Sequence, residues 1–95
     1  MNEAVTFTIE RISQNATSYL KRLPRKRQES VAQAFEYLCQ GSPFQHPNPT
    51  VIKPLKGEYK GLWRFRIGDI RIIYEVDEVH QTINVIAIDN RGNVY

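Results

Sequence analysis

Gly61-Leu62-Trp63-Arg64-Phe65-Arg66-Ile67-Gly68-Asp69-Ile70-Arg71-Ile72-Ile73-Tyr74-Glu75-Val76 alternates on both sides of a Gly-Asp pair. As an extended strand, Trp63, Phe65 and Ile67 point one way while Arg64 and Arg66 point the other. Gly68-Asp69 fits a two-residue hairpin loop, with glycine at the first central position where positive φ is required. The returning strand sets Ile70, Ile72, Tyr74 and Val76 against Arg71, Ile73, Glu75 and Asp77. In that register Ile67 faces Ile70, and Arg66 lies directly opposite Arg71.

Two like charges facing each other across a hairpin cost on the order of 0.2–1 kcal/mol. One reading is a pair of solvated arginines on an outer face. The other is a face built to receive a polyanion, and the neighbourhood favours it. Lys53, Lys56 and Lys60 precede the hairpin, against only Glu58 and Asp69 nearby.

Outward from the hairpin, Val5, Phe7 and Ile9 alternate with polar residues and predict a first strand. Ser13 can cap a helix through its hydroxyl. Ile12, Ala16, Tyr19, Leu20 and Leu23 then give an apolar side, and Pro24 ends the segment. Val31, Ala34, Phe35 and Leu38 mark the core stripe of a second helix from about Arg25 to Gln40. Gly41 suits the left-handed position that closes it. Val51 and Ile52 open a further strand, which Pro54 confines to a sheet edge or a strand start. Thr82 to Ile88 is the last strand, and either Ile83/Val85/Ala87 or Asn84/Ile86/Ile88 can be its buried set. The expected fold is α+β, ordered β-α-α-β-β-β-β. It is a small, mainly antiparallel sheet with a two-helix hairpin on one face, packed through Trp63, Phe65, Ile70, Ile72 and Tyr74. The other face is expected to be polar and to carry Arg64, Arg66 and Arg71.

A chain of 95 residues is enough for one core, so residues 1–95 are expected to form one domain. The single cysteine, Cys39, cannot make an internal disulfide and reads as a buried small hydrophobe in a reducing compartment. No apolar run approaches the roughly 20 residues that cross a membrane, and the first residues lack a signal-peptide pattern. A cytoplasmic location is expected. His46 and His80 lie in separate loops without ligand spacing, which argues against a metal site. The net charge is +3 and the pI about 9.2. Its distribution says more, because Lys21, Arg22, Arg25, Lys26 and Arg27 form a run without an acidic residue. That run is either a solvated helix-hairpin tip or a grip on ribosomal RNA.

Lys-Pro-Leu-Lys-Gly at 53–57, Gly-Leu-Trp-Arg-Phe-Arg-Ile-Gly at 61–68 and Arg-Ile-Ile-Tyr-Glu-Val at 71–76 resemble the RelE/ParE superfamily of bacterial toxins. The helical hairpin ending in Leu23-Pro24 and the Arg91…Val94-Tyr95 ending match as well. The resemblance spans essentially the whole chain. It implies a toxin neutralised by a cognate, RelB-like antitoxin, which would be its only link to operator DNA. RelE-like members cut messenger RNA in the ribosomal A site without a metal or other cofactor, whereas ParE-like members inhibit DNA gyrase. Among the RNA-cleaving members, basic residues on the open sheet face and a tyrosine near the C-terminus carry the activity. Here these positions are Arg64, Arg66, Arg71, Arg91 and Tyr95. The family tail often reads Ile-Gly-His-Arg-Arg-Asp-Val-Tyr, so this tail lacks a histidine and one arginine. Where some relatives place a catalytic glutamate before Pro-Leu-Lys, this chain has Lys53.

Cleavage by the RNA 2′-hydroxyl needs a base, cations for the phosphorane and an acid for the leaving 5′-oxygen. Arginine suits the second task, since its planar fork binds two phosphate oxygens and stays charged. Arg71, flanked by Arg64 and Arg66, is the candidate for it. Tyr95 is either the base, its pKa lowered by surrounding cations, or an aromatic that packs or stacks on a nucleobase. Lys53 and Lys56 are alternative bases, although phosphate contact suits both better, as it does Lys60. Arg91 is a candidate acid or phosphate clamp. Without an orthodox acid–base pair, such a site depends on the ribosome to align the substrate.

Overall fold

The computed structural model describes residues 6–90, so Val5, Arg91 and Tyr95 lie outside the described residues. The elements are β1 (Thr8–Ile12), α1 (Gln14–Arg22), α2 (Arg25–Gln40), β2 (Ile52–Pro54), β3 (Trp63–Ile67), β4 (Ile70–Asp77) and β5 (Thr82–Asn90). A short 3-10 turn, Gly57–Tyr59, joins β2 to β3. The element order is the one expected. All five strands form one sheet, ordered β1-β5-β4-β3-β2, antiparallel except where β1 runs parallel to β5. Pro54, which has no N–H to donate, sits on the edge strand β2.

Ser13 caps α1 as expected, its hydroxyl accepting from the Ala16 N–H at 3.1 Å. Pro24 disfavours helical geometry in the residue before it, and Leu23 is extended at φ −76°, ψ 146°. The chain then re-enters helix at Arg25. Ala16 of α1 and Val31, Ala34 and Leu38 of α2 are buried against Ile52, Phe65, Ile70, Ile72, Tyr74, Ile83, Val85 and Ile88 of the sheet. Trp63 packs at the margin of this core, edge-on to Phe44 at 5.0 Å between ring centroids. The Tyr74 hydroxyl, fully buried, donates to the Pro43 carbonyl at 2.7 Å.

Two expectations needed revision. Gly41 ends α2 with φ −93°, not in the left-handed region. Its lack of a side chain matters for space instead, because a Cβ there would lie 2.8 Å from the Tyr37 ring. Ile12, expected on the apolar side of α1, is the last residue of β1 and is 37% exposed. Gly68, by contrast, adopts φ +57° in the β3–β4 loop as its turn requires.

The two candidate parities of β5 are both used. Tyr74 pairs with Val85 and Ile73 with Ala87, which leaves Ile86 as an extra residue between them. This bulge shifts the alternation by one. Ile83 and Val85 face the core before it and Ile88 after it, while Ile86 is 40% exposed. The bulged carbonyl is not orphaned. The Ser13 hydroxyl donates to Ile86 O at 2.6 Å, and the Ser13 N–H donates to Val85 O at 2.9 Å.

Candidate functional site: the arginine face of the sheet

The helices cover one face of the sheet, and strand alternation places the charged residues of β3 and β4 on the other. Two rows cross this second face. In the first, Lys53 of β2 lies opposite Arg64 of β3, then Ile73 of β4, then Ala87 of β5. In the second, Arg66 lies opposite Arg71, and Arg71 opposite Asp89 of β5. Arg64, Arg66 and Arg71 are therefore brought together, with Arg64 and Arg66 roughly 7 Å apart along their strand. The face is not uniformly polar, because Ile73 in its middle is only 8% exposed. Lys56 and Lys60 flank the 3-10 turn at the sheet edge, exposed and off the strand face.

Each arginine is held differently. Arg64 donates through Nη2 to the Thr50 carbonyl at 2.6 Å, which ties it to the chain entering β2. Arg71 makes a two-pronged contact, Nε and Nη2 each donating to one oxygen of Asp89 at 2.9 Å. The backbone N–H of Arg66 donates to the Val51 carbonyl at 2.9 Å, and its half-buried side chain makes no hydrogen bond or ion pair among the described residues. The repulsion between Arg66 and Arg71 is thus offset from the far side by a carboxylate on β5.

Asp89 is the site residue that reading the sequence missed. Its placement depends on the parity of β5, and the run Ile83-Asn84-Val85-Ile86-Ala87-Ile88 hides that parity behind a bulge. Asp69 was a second unforeseen link. Its carboxylate accepts from Arg27 of α2 and from the Asn90 side chain, both at 3.0 Å, and these bonds hold its pKa below the usual carboxylate value. The hairpin turn is thereby fastened both to the start of α2 and to the end of β5.

Other titratable groups stand apart from this face. Burial pushes the Tyr74 phenol far above its ordinary pKa, so it supplies no phenolate. Cys39, expected to be buried, is half-exposed on α2, and desolvation raises its thiol pKa. The His46 ring packs against Tyr37 and Phe65, and its Nδ1 accepts from the Asn48 N–H. His80 pairs with Asp77 in the β4–β5 turn at 2.9 Å. No three His, Cys, Asp or Glu side chains gather as a metal-binding group among the described residues. No helix is long and apolar enough to cross a membrane among them. A cavity of about 550 Å³ lies between Phe44, Trp63 and the carboxylates Glu75, Asp77 and Glu78, with no arginine or lysine in its lining. The lining of this hollow is thus acidic and apolar, in contrast to the arginine face.

Residues 11–95 match the family described as the ParE toxin of type II toxin-antitoxin system, parDE. Toxin RelE of Mycobacterium tuberculosis (strain ATCC 25618 / H37Rv) is 32% identical over 84 residues, covering 88% of this chain and 81% of the relative. Among solved structures, the toxin-antitoxin complex RelBE2 of Mycobacterium tuberculosis contains a chain that is 29% identical with a TM-score of 0.75. That likeness covers 98% of this chain and 100% of the other. A chain of the archaeal RelE-RelB complex from Pyrococcus horikoshii OT3 is 25% identical with a TM-score of 0.73, covering 94% of this chain and 99% of its own.

Proposed function

Because this chain belongs to the ParE toxin family of type II toxin-antitoxin systems, within the RelE/ParE superfamily, we propose that it is a ribosome-dependent messenger RNA endonuclease. The observation that carries the reading is the clustering of Arg64, Arg66 and Arg71 on the sheet face opposite the helices. The likeness to a toxin named RelE supports it. In this reading the RNA 2′-hydroxyl attacks the adjacent phosphorus without a metal, and the arginine forks stabilise the charge that builds on the phosphorane. Lys53, Lys56 and Lys60 hold flanking phosphates. Arg91 acts as a phosphate clamp or acid, and Tyr95 as a base or a stacking platform. The ribosome presents the message in its A site and supplies the alignment that the site lacks by itself. Working there, the protein is cytoplasmic.

The partner is a RelB-like antitoxin, as in the RelE–RelB complex of Pyrococcus horikoshii, and operator DNA is reached only through that partner. An antitoxin segment laying acidic residues across the arginine face would silence it.

The test is purified protein added to ribosomes stalled on a defined message, read by primer extension. Cleavage within the A-site codon is expected, and Arg71→Ala should lower its rate about 10²–10³-fold, the range for removing one charge-stabilising donor. A message left whole by the wild-type protein would contradict the reading. A second reading, a gyrase inhibitor that cuts nothing, is favoured by the match to a family described as ParE toxin. A supercoiling assay separates the two, since loss of gyrase activity with intact messages would establish the second.

A further inference from the structure

We propose that Asp89 is the general base of the cleavage reaction, an inference that rests on the endonuclease reading above. The base was the part of the chemistry that the sequence left open among Tyr95, Lys53 and Lys56. The sheet face supplies a carboxylate in the same cross-strand row as Arg66 and Arg71. Arg71 donates one hydrogen bond to each Asp89 carboxylate oxygen, and among the described residues these are the only side-chain hydrogen bonds that carboxylate accepts. An ionised carboxylate has about four lone-pair sites, so each oxygen keeps capacity for a further proton donor. The Asp89 side chain is 40% exposed and that of Arg71 25%, so a substrate can reach the acid from the open side.

The alternatives on the same face are placed less well. Of the carboxylates on β4's outer side, Glu75 is four residues along from Arg71, roughly 14 Å away, and Asp77 is two residues farther and pairs with His80. Glu75 is also engaged by the Asn84 amide at 3.3 Å. Lys53 lies beside Arg64 in the other row, on the edge strand, two strands away from Arg71. Asp89 stands where the family tail often has glycine, which makes this a property of the present chain.

The two-pronged contact gives the pair a joint task. Arg71 fixes the plane of the carboxylate, while the same guanidinium lies where a phosphate would be received. When the nucleotide's phosphodiester docks at the arginines, Asp89 takes the proton from the 2′-hydroxyl. The 2′-oxygen forms a bond to phosphorus and the bond from phosphorus to the 5′-oxygen breaks. The leaving 5′-oxygen takes up a proton from water. The products are a 2′,3′-cyclic phosphate and a 5′-hydroxyl end, and Asp89 returns its proton to solvent.

Single-turnover cleavage of a ribosome-stalled message by wild type, Asp89→Asn and Asp89→Glu tests this, with binding to the same complexes measured alongside. Asparagine keeps an oxygen for Arg71 but is not a base. It should bind equally or more tightly, since a negative charge is removed from an RNA-binding face, and cut about a hundredfold or more slowly. Glutamate, still a base, should recover part of the rate. A loss of tenfold or less in Asp89→Asn, a loss matched by weaker binding, or no recovery with glutamate would overturn the assignment. Failure of the wild type to cut would instead overturn the endonuclease reading and this inference together.

Discussion

At the scale of single residues, the arginine pair shows both the strength of alternation and its blind spot. The facing of Arg66 and Arg71 follows from counting outward from Gly68-Asp69, and the structure has that register. The residue that resolves their repulsion, Asp89, is 18 positions from Arg71 in sequence and reaches it only through pairing of β4 with β5. No local pattern encodes such a contact. The His80–Asp77 pair in the β4–β5 turn gives a residue-level test of local electrostatics. The hydrogen bond and charge of Asp77 raise the pKa of His80 above its ordinary 6.5. A raised histidine contributes stability that is fully present below the unfolded pKa and is lost as pH rises through the folded one. An NMR titration should therefore place the His80 midpoint above 6.5, and Asp77→Asn should bring it back. An unmoved midpoint in that variant would show that another group sets the shift.

At the scale of elements, both helices and the hairpin were legible because each obeys one period from end to end. Pro24 and Gly41 bound α2 where expected, although Gly41 serves by making room for the Tyr37 ring rather than by its dihedral angles. The last strand was not legible as a single pattern, since its apolar residues change parity at Ile86. The reason lies at the other end of the chain, where Ser13 both caps α1 and donates to the bulged carbonyl. Ser13→Ala should remove an N-cap, typically worth about 1 kcal/mol, and leave the Ile86 carbonyl without that donor. A destabilisation of about 1–3 kcal/mol in urea unfolding is expected. A change below about 0.5 kcal/mol would mean that water replaces the hydroxyl at no cost.

At the scale of the whole molecule, the sheet separates two environments. Apolar side chains from β2 to β5 meet the helices on one side, and cations gather on the other. The element order and the covered face could be read from the sequence because strand alternation and helix stripes must agree for one core to form. Less legible was the balance of charge on the second face, where a carboxylate from β5 turns a cluster of cations into a cation–carboxylate pair. Such a pair can both receive a phosphate and take a proton, which a purely basic face could not do equally well. The central claim is that this face breaks a ribosome-held phosphodiester by using the neighbouring 2′-hydroxyl. It is tested most directly with two ribosome-stalled messages, identical except for a single 2′-deoxynucleotide on the 5′ side of the scissile phosphate. The all-ribose message should be cut to a 2′,3′-cyclic phosphate end while the deoxy message stays whole. Cleavage of both, or of neither, would contradict the account.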